Sequence, residues 1–353
     1  MQPRQLVSRS LMHWSAVTFV RVLVLALRFL PVRAIPTCGH LVGRLAQALM
    51  PQRRSILRRN MVVTGYKPDH LEQQAYAHIG SSLLIALLPV RRSIQLLART
   101  AIAGGPVAAA AEAFSTDCRL GGVIVCSAHV GVWELVPAAL SPYVPRRARR
   151  HGAIIYQPLH DAPLDRWLLR WRTRAAGMTL LPAHGSGSAL RRALRTGGLV
   201  GLVADQRPAT GVARVPVILL GQASELSPGL AALHRSTGAP VWFAVVLVER
   251  SQTVCGQSDS SLALRLHLER LAPRNPNAHL SEHGRVRPLA AECDVLMQAY
   301  ADAVSRTVHS APSQYYWLHR RFTGRSDCDG CTAVEERNSS PPPLEHREGS
   351  LRD

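Results

Sequence analysis

A histidine and a carboxylate five residues apart are the pair in this sequence whose types and spacing could do chemistry. His129 and Glu134 follow the apolar run 121–127, GGVIVCS, which is typical of a buried strand. An imidazole can take a proton from a hydroxyl, and a carboxylate on its other nitrogen fixes the tautomer and stabilises the charged form. We therefore expect His129 to be a general base with Glu134, about one turn into the next helix, as its partner. By spacing alone, a purely structural histidine is the alternative.

Other kinds of reactive centre lack their signatures. The chain has no Gly-x-Ser-x-Gly, no P-loop and no His-Glu-x-x-His. Cys126 is a poor nucleophile for His129, because residues three apart on a strand point to opposite faces. Cys328 and Cys331 form a C-x-x-C without a second pair, which only weakly suggests zinc. We expect no metal site.

Alternating strands and helices must position these residues. Short apolar runs, which predict strands, lie at 121–127, 152–157, 198–204, 213–219 and 240–249. Helical patterns lie at about 69–116, with breaks, and at 163–176, 186–196, 227–237 and 290–309. This order predicts an α/β fold, a mixed central sheet with helices on both faces. Ligands of such sheets bind at the carboxyl ends of the strands, where Asp205 and Arg207 could meet the same crevice as His129.

The N-terminal segment is apolar and basic. Residues 11–30 are mostly apolar but include Arg21 and Arg28, so spanning a membrane and lying in its interface are nearly balanced. Residues 1–60 hold ten arginines and no acid, which would keep the following body on the cytoplasmic side. We predict a membrane-anchoring helix within 1–36, a main domain over 37–325 and a disordered acidic tail over 326–353. An ordinary buried helix is the alternative for the first segment.

Composition narrows the classes of protein and of partner. Of the 353 residues, 47% are hydrophobic and 18% are charged, which excludes a wholly disordered chain, a collagen-like repeat and a long coiled coil. The formal net charge is +19, nearly all of it from arginine, whose planar fork suits phosphate. The partner surface should therefore be anionic: nucleic acid, phospholipid or a phosphorylated ligand.

Four segments in order along the chain resemble the lipid A biosynthesis acyltransferase family, relatives of the glycerophosphate acyltransferases. They read HVGVWE at 129–134, GLVADQRP at 201–208, TGAPV at 237–241 and QYYWLHRRF at 314–322. The N-terminal apolar segment, Arg53-Arg54 and Asn60 extend the resemblance over roughly residues 10–325. The sequence departs from the family pattern at Val132, Gln157, Leu219-Leu220 and Ser313, which affects the expected acceptor more than the expected reaction.

The resemblance implies acyl transfer from an acyl thioester, on acyl carrier protein or coenzyme A, to a hydroxyl of a membrane glycolipid such as a lipid A precursor. His129 would be the base and Glu134 would orient it, with direct attack on the thioester and no cofactor. Backbone N–H groups after His129 would hold the oxyanion. Arg320 and Arg321 would bind acceptor phosphates or the acidic carrier protein. The substrate-binding residues implied are Gly131, Trp133, Gln157, Asp205, Gln206, Arg207, His319, Arg320 and Arg321.

The expected location is the cytoplasmic face of the bacterial inner membrane. Two other functions stay open from the sequence. One is a diverged relative that acylates another phospholipid or glycolipid. The other is a non-catalytic basic protein that binds membranes or nucleic acid. Aromatic residues, which would stack on bases, make up only 5% of the chain, so no nucleic acid is expected.

Overall fold

A computed structural model of the protein shows the alternation of strands and helices that the sequence predicts. The structure describes residues 18, 20–88, 92, 106–159, 161–208, 211–250, 262–275 and 289–322. These residues all belong to one compact unit within Met1–Phe322. They form a central, mostly parallel sheet flanked by helices, so the α/β prediction is confirmed at that level. The predicted tail, 326–353, lies outside the described residues.

Among the described residues after residue 34, the α-helices are α1 (Ile35–Leu49), α2 (Pro51–Val63), α3 (Pro68–Ala86), α4 (Pro106–Leu120), α5 (Val136–Leu140), α6 (Arg146–Arg150), α7 (Ala162–Ala176), α8 (Gly187–Arg195), α9 (Gly229–Thr237) and α10 (Leu289–Ser310). The strands are β1 (Val123–Ser127), β2 (Ala153–Tyr156), β3 (Thr179–Pro182), β4 (Leu199–Val203), β5 (Val215–Leu219), β6 (Gln222–Leu226), β7 (Val241–Arg250) and β8 (Leu262–Ala272).

Strand order places the end of β1 beside the end of β4. Within the described residues the main sheet has the order β3-β2-β4-β1-β7-β8, with β8 antiparallel to β7 and the other neighbours parallel. Ser127 at the end of β1 pairs with Val203 at the end of β4. The segments that follow these two strands therefore meet at the carboxyl edge of the sheet, where α/β sheets bind ligands.

Each of the five predicted strands is found, and the described residues contain three further strands that the sequence analysis did not predict. β3 is a four-residue strand that ends in proline, and β6 is half polar because it pairs only with β5 in a separate hairpin. β8 reads LALRLHLERLA, in which Leu264, Leu266 and Leu268 are buried and alternate with polar residues. That alternation is typical of a strand with one wet face, and it was present in the sequence.

Helices cover both faces of the sheet because the strand side chains alternate between two apolar cores. Ile124, Cys126 and Val200 pack in one core with α2, α3, α8, α9 and α10. Val125 and Leu199 pack in the other with α4, α5 and the end of α7. Parallel strands buried on both faces carry near-continuous apolar runs, which is why they could be read from the sequence.

The N-terminal prediction is only partly covered by the structure. Residues 20–27 are helical, and the Arg92 guanidinium donates to the carbonyl oxygens of Leu27 and Leu30 at 2.8 and 2.7 Å just beyond their end. A cation in that place satisfies carbonyls that a helix end leaves unpaired. Among the described residues, no helix combines the length and apolar character that crossing a bilayer requires. The anchoring helix within 1–36 stays a prediction.

Candidate active site

The backbone turn after β1 presents His129 at the carboxyl edge of the sheet. Gly131 in this turn has φ +63°, and a Cβ atom built there would lie 2.0 Å from the carbonyl oxygen of Val246. Any side chain would therefore clash with the backbone of β7 as well as adopt a strained conformation. The glycine of the motif has this steric reason, independent of any contact with substrate.

The amides of the turn already have partners. Gly131 N donates to the carbonyl oxygen of Gln314 at 2.9 Å, and Val132 N donates to that of Val246 at 2.7 Å. An amide N–H that already donates to a carbonyl oxygen would have to give up that hydrogen bond in order to donate to a developing oxyanion. The expectation that backbone N–H groups here hold the oxyanion is therefore wrong for these two residues.

The partner of the His129 imidazole is Asp205, from the segment after β4. The imidazole Nδ1–H donates to Asp205 Oδ1 at 2.6 Å, and the His129 backbone N–H donates to Asp205 Oδ2 at 3.1 Å. A carboxylate only accepts hydrogen bonds, so the proton of the neutral imidazole is on Nδ1. Nε2 is left with a lone pair directed away from Asp205, as a general base requires.

A buried arginine holds Asp205 in its charged form. Arg321, 3% exposed, donates from a terminal nitrogen to Asp205 Oδ2 at 2.7 Å and also to the Asp205 main-chain oxygen. Its guanidinium lies 4.5 Å from the ring centroid of Tyr315. Burial opposes ionisation of Asp205, but the charge of Arg321 and the bonds from His129 outweigh it and hold the pKa of Asp205 well below its usual value. Arg321 is thus not available for acceptor phosphates, which corrects that expectation.

Gln206 bridges two histidines on the open side of the site. Its side-chain amide nitrogen lies 3.1 Å from His129 Nε2 and 2.9 Å from His319 Nε2. Burial, with the nearby charge of Arg321, lowers the pKa of His319 to about 4, so this ring is neutral near pH 7 and accepts from the amide. A substrate hydroxyl would therefore have to replace Gln206 as the donor to His129.

The segment 314–322 closes the site because α2 and the turn after β1 hold its backbone. Tyr316 N donates to the carbonyl oxygen of His129 at 2.8 Å. The Asn60 side-chain amide donates to the carbonyl oxygens of Trp317 and His319, both at 2.7 Å. Asn60, which extends the family resemblance toward the N-terminus, therefore contacts the closing segment directly.

Glu134 does not contact the imidazole, which corrects the expected pair. It lies in a short 3-10 turn, Trp133–Leu135, and its carboxylate accepts two hydrogen bonds from the Arg172 guanidinium on α7, one of them 3.1 Å long. The turn directs Glu134 across the crevice to α7 rather than back to His129. The bidentate pair joins the 3-10 turn to α7.

The remaining predicted residues lie at different distances from the imidazole. The Trp133 ring centroid is 5.0 Å from that of His129. Gln157 is exposed and lies at the edge of the adjoining cavity. Arg207 pairs with Glu225 at 3.4 Å on the β5–β6 hairpin side, and Arg320 is exposed. The structure thus brings Trp133 next to the imidazole but directs Arg207 away from it.

An apolar cavity extends from His129 along the sheet. It has a volume of about 410 Å³ and is lined by residues of β1, β2, β4, α5 and α7. His129 and Gln206 lie at one end, whereas Leu199 and Met178 lie near the amino ends of the strands. Four steps along β4 correspond to about 13 Å, so the cavity runs along the length of this strand. Its shape suits an extended hydrocarbon chain whose reactive end lies at the imidazole.

Sequence reasoning missed two of these residues. Arg172 lies within the predicted helix 163–176, but no spacing connects it with Glu134, 38 positions earlier. Tyr300, on α10, donates to the carbonyl oxygen of Ser127 at 2.7 Å and fixes the end of β1. Only the packing of α10 on the sheet brings it there.

One comparison with known proteins matches nearly the whole of the described chain. A model of the bacterial lipid A biosynthesis acyltransferase family matches residues 2–323. The match includes the turn after β1, the Asp205 segment and the closing segment 314–322. No curated protein matches the chain.

Proposed function

Because the chain belongs to the bacterial lipid A biosynthesis acyltransferase family and is therefore an acyltransferase, we propose that it transfers a fatty acyl chain from a thioester to a glycolipid hydroxyl. The observation that carries the proposal is the His129–Asp205 pair at the end of an apolar cavity. A base beside a hydrocarbon site is what acylation of a hydroxyl needs. Family membership supports this function over that of a non-catalytic binding protein.

His129 takes the proton from the acceptor hydroxyl as its oxygen attacks the thioester carbon. The acceptor approaches Nε2 by replacing the Gln206 amide, and Asp205 stabilises the imidazolium that forms. When the tetrahedral intermediate collapses, the C–S bond breaks and the leaving thiolate takes the proton from His129. Direct attack by the acceptor needs no acyl-enzyme on Cys126. Burial raises the pKa of the Cys126 thiol well above its usual value and so disfavours the thiolate that would be the nucleophile.

The acyl chain occupies the apolar cavity and its thioester lies near His129. Val125, Leu199 and Met178 supply apolar contact along the length of the cavity. Burying each methylene contributes about 0.8 kcal/mol, so chain length should affect binding strongly. The donor is an acyl thioester of acyl carrier protein or coenzyme A.

The acceptor is a glycolipid such as a lipid A precursor, approached from the cytoplasmic face of the inner membrane. Leu41, Leu45 and Leu49 form an exposed apolar stripe along one side of α1, and Val22 and Phe29 are also exposed. No acid precedes residue 69, whereas ten arginines lie in the first 60 residues. Apolar side chains with arginines around them favour an interface with anionic lipid.

A vesicle experiment tests the membrane part of this proposal. Replacing Leu41 and Leu45 with Ser should reduce co-sedimentation with vesicles that contain anionic lipid. Leu120→Ser is the matched control, because Leu120 is equally exposed but lies at the end of α4. Equal losses in the two variants, or none in the first, would contradict this placement of the membrane.

The transfer reaction is tested with radiolabelled acyl thioesters of carrier protein and of coenzyme A, each incubated with bacterial membrane lipid. The unmutated protein should produce a lipid that has gained one acyl chain, identified by mass spectrometry. His129→Ala should lower the rate about 10²- to 10⁴-fold, the contribution of a general base. His151→Ala, an exposed histidine at the opposite edge of the sheet, should leave it unchanged. Normal turnover by His129→Ala would refute the mechanism.

A further inference from the structure

Ser127 has a buried hydroxyl group for which the described residues provide no partner. It is the last residue of β1, is 5% exposed and lines the cavity two residues before His129. Its side-chain oxygen makes no hydrogen bond among the described residues. Its carbonyl oxygen, by contrast, accepts from Tyr300 Oη at 2.7 Å and from Ala204 N at 3.3 Å. Two hydrogen bonds to its carbonyl oxygen therefore hold the backbone of Ser127, whereas its hydroxyl group could bond to a ligand in the cavity.

A buried hydroxyl without a partner is unfavourable, because it has lost its hydrogen bonds to water. Apolar residues such as Val125 and Val203 line the cavity near Ser127. A hydrocarbon chain in the cavity would not satisfy the hydroxyl, but a polar atom at the head of that chain would. On the proposed function, the polar atom closest to the base is the carbonyl oxygen of the thioester.

The position of Ser127 relative to His129 suits this role. Both residues line the same cavity, Ser127 at the end of β1 and His129 on the turn that follows it. The base acts on the attacking hydroxyl oxygen, whereas an oxyanion donor lies about 2.7–3.1 Å from the carbonyl oxygen, so the two groups contact different atoms of the reacting pair. The amides of Gly131 and Val132 are already bonded, so a separate donor is needed.

We propose that the Ser127 hydroxyl donates a hydrogen bond to the thioester carbonyl oxygen and stabilises the oxyanion that develops there. This inference rests on the proposed acyl transfer. As the acceptor oxygen bonds to the carbonyl carbon, its proton passes to His129 Nε2 and the C=O π pair moves to the oxygen that Ser127 contacts. The pair returns when the C–S bond breaks, and the thiolate takes the proton. Ser127 itself forms no covalent bond.

Three substitutions separate the hydroxyl from the volume of the side chain. Ser127→Ala removes the hydroxyl, whereas Ser127→Thr and Ser127→Val have nearly the same shape and differ in whether a hydroxyl is present. We expect Ala and Val to lower kcat about 10²-fold, the usual effect of losing one oxyanion donor. KM for the thioester should change little, because the bond strengthens mainly in the transition state. Thr should recover most of the lost kcat.

Two further measurements show that the cavity is intact and that the carbonyl is the group recognised. An alkyl thioether analogue of the donor, in which a methylene replaces the carbonyl, should bind Ser127→Ala as tightly as the unmutated protein. The kcat defect should be the same for a plain acyl chain and for one with a 3-hydroxyl group. A defect confined to the hydroxylated chain would overturn the proposal, because Ser127 would then recognise that hydroxyl.

Parallel assays of His129→Ala distinguish this inference from the proposed function. If His129→Ala is inactive and Ser127→Ala keeps full kcat, the oxyanion role is wrong while acyl transfer stands. Equal kcat for the Thr and Val variants would also overturn the role. If the unmutated protein transfers no acyl chain under any of these conditions, both proposals fail together.

Discussion

Replacing Asp205 with Asn should damage both stability and catalysis, by separable routes. Asp205 accepts from three donors: His129 Nδ1, His129 N and the Arg321 guanidinium. An asparagine has one acceptor oxygen and a donating NH₂ group, so at least one of these donors would face another donor. The carboxylate is the one side-chain group of this size that satisfies all three.

The loss of stability follows from the buried charge of Arg321. At 2.7 Å and an effective dielectric of about 20, the attraction between two unit charges is about 6 kcal/mol. Removing one partner of a buried pair typically costs about 3–5 kcal/mol, because the other charge stays buried. We expect Asp205→Asn to lower the free energy of unfolding, measured by urea denaturation, by about 3–5 kcal/mol. Glu269→Gln is the matched control, because Glu269 also lies 2.7 Å from an arginine but its side chain is 34% exposed, so its loss should be below about 1 kcal/mol.

The double variant Asp205→Asn, Arg321→Met separates the two effects. Met removes the unpaired charge and keeps an apolar side chain of similar length, so at least half of the lost stability should return. Acyl transfer should stay about 10²- to 10⁴-fold slow, because no carboxylate stabilises the His129 imidazolium. The reasoning is refuted if the double variant is no more stable than the single one, or if Asp205→Asn alone keeps its kcat.

Three other predictions follow from the structure. Gly131→Ala should lower the melting temperature much more than Gly177→Ala, because both glycines have φ near +64° but only Gly131 has a carbonyl oxygen 2.0 Å from the new Cβ; equal losses would contradict this. Met178→Ala should shift kcat/KM toward acyl chains longer by one or two carbons, by about fourfold per methylene, in a competition between chain lengths; an unchanged preference would place the chain elsewhere. Burial lowers the pKa values of His78 and His319 to about 4, compared with about 6.5 in the unfolded chain. The unfolded chain therefore binds more protons between these values, and stability should fall as the pH is lowered from about 6.5 to 4, by at most about 1.4 kcal/mol per pH unit for each ring. An unaltered slope of stability against pH in His78→Asn would exclude that residue as a source.

The two carboxylates near His129 have different contacts and therefore different roles. Asp205 is buried and bonded to the imidazole, so on the proposed function it would stabilise the charge that develops on His129. Glu134 is partly exposed and bonded to Arg172, so it joins α7 to the 3-10 turn at the side of the cavity. On the proposed function, removing Glu134 should affect the shape of the cavity rather than the basicity of His129.

Much of the fold could be read from the sequence because its signals are local. The runs that became β1, β2, β4 and β7 are apolar almost throughout, since strands in a parallel sheet are buried on both faces. β3 and β6 were missed because short or half-polar edge strands lack that signal. The motif containing His129 was also visible, since a strand, a turn glycine and a base are adjacent in the chain.

The partners of His129 depended on tertiary structure. Glu134 is five residues away in sequence, but the 3-10 turn directs it to α7. Asp205 is 76 residues away, yet the parallel pairing of β1 with β4 places it under the imidazole. The sequence suggested Arg321 for phosphate binding. It is buried because the closing segment packs inward, and there its guanidinium pairs with Asp205. The sequence alone showed which residue could act as a base. Strand order and burial decided which carboxylate lies against it, because contacts between distant segments are set by packing and not by spacing along the chain.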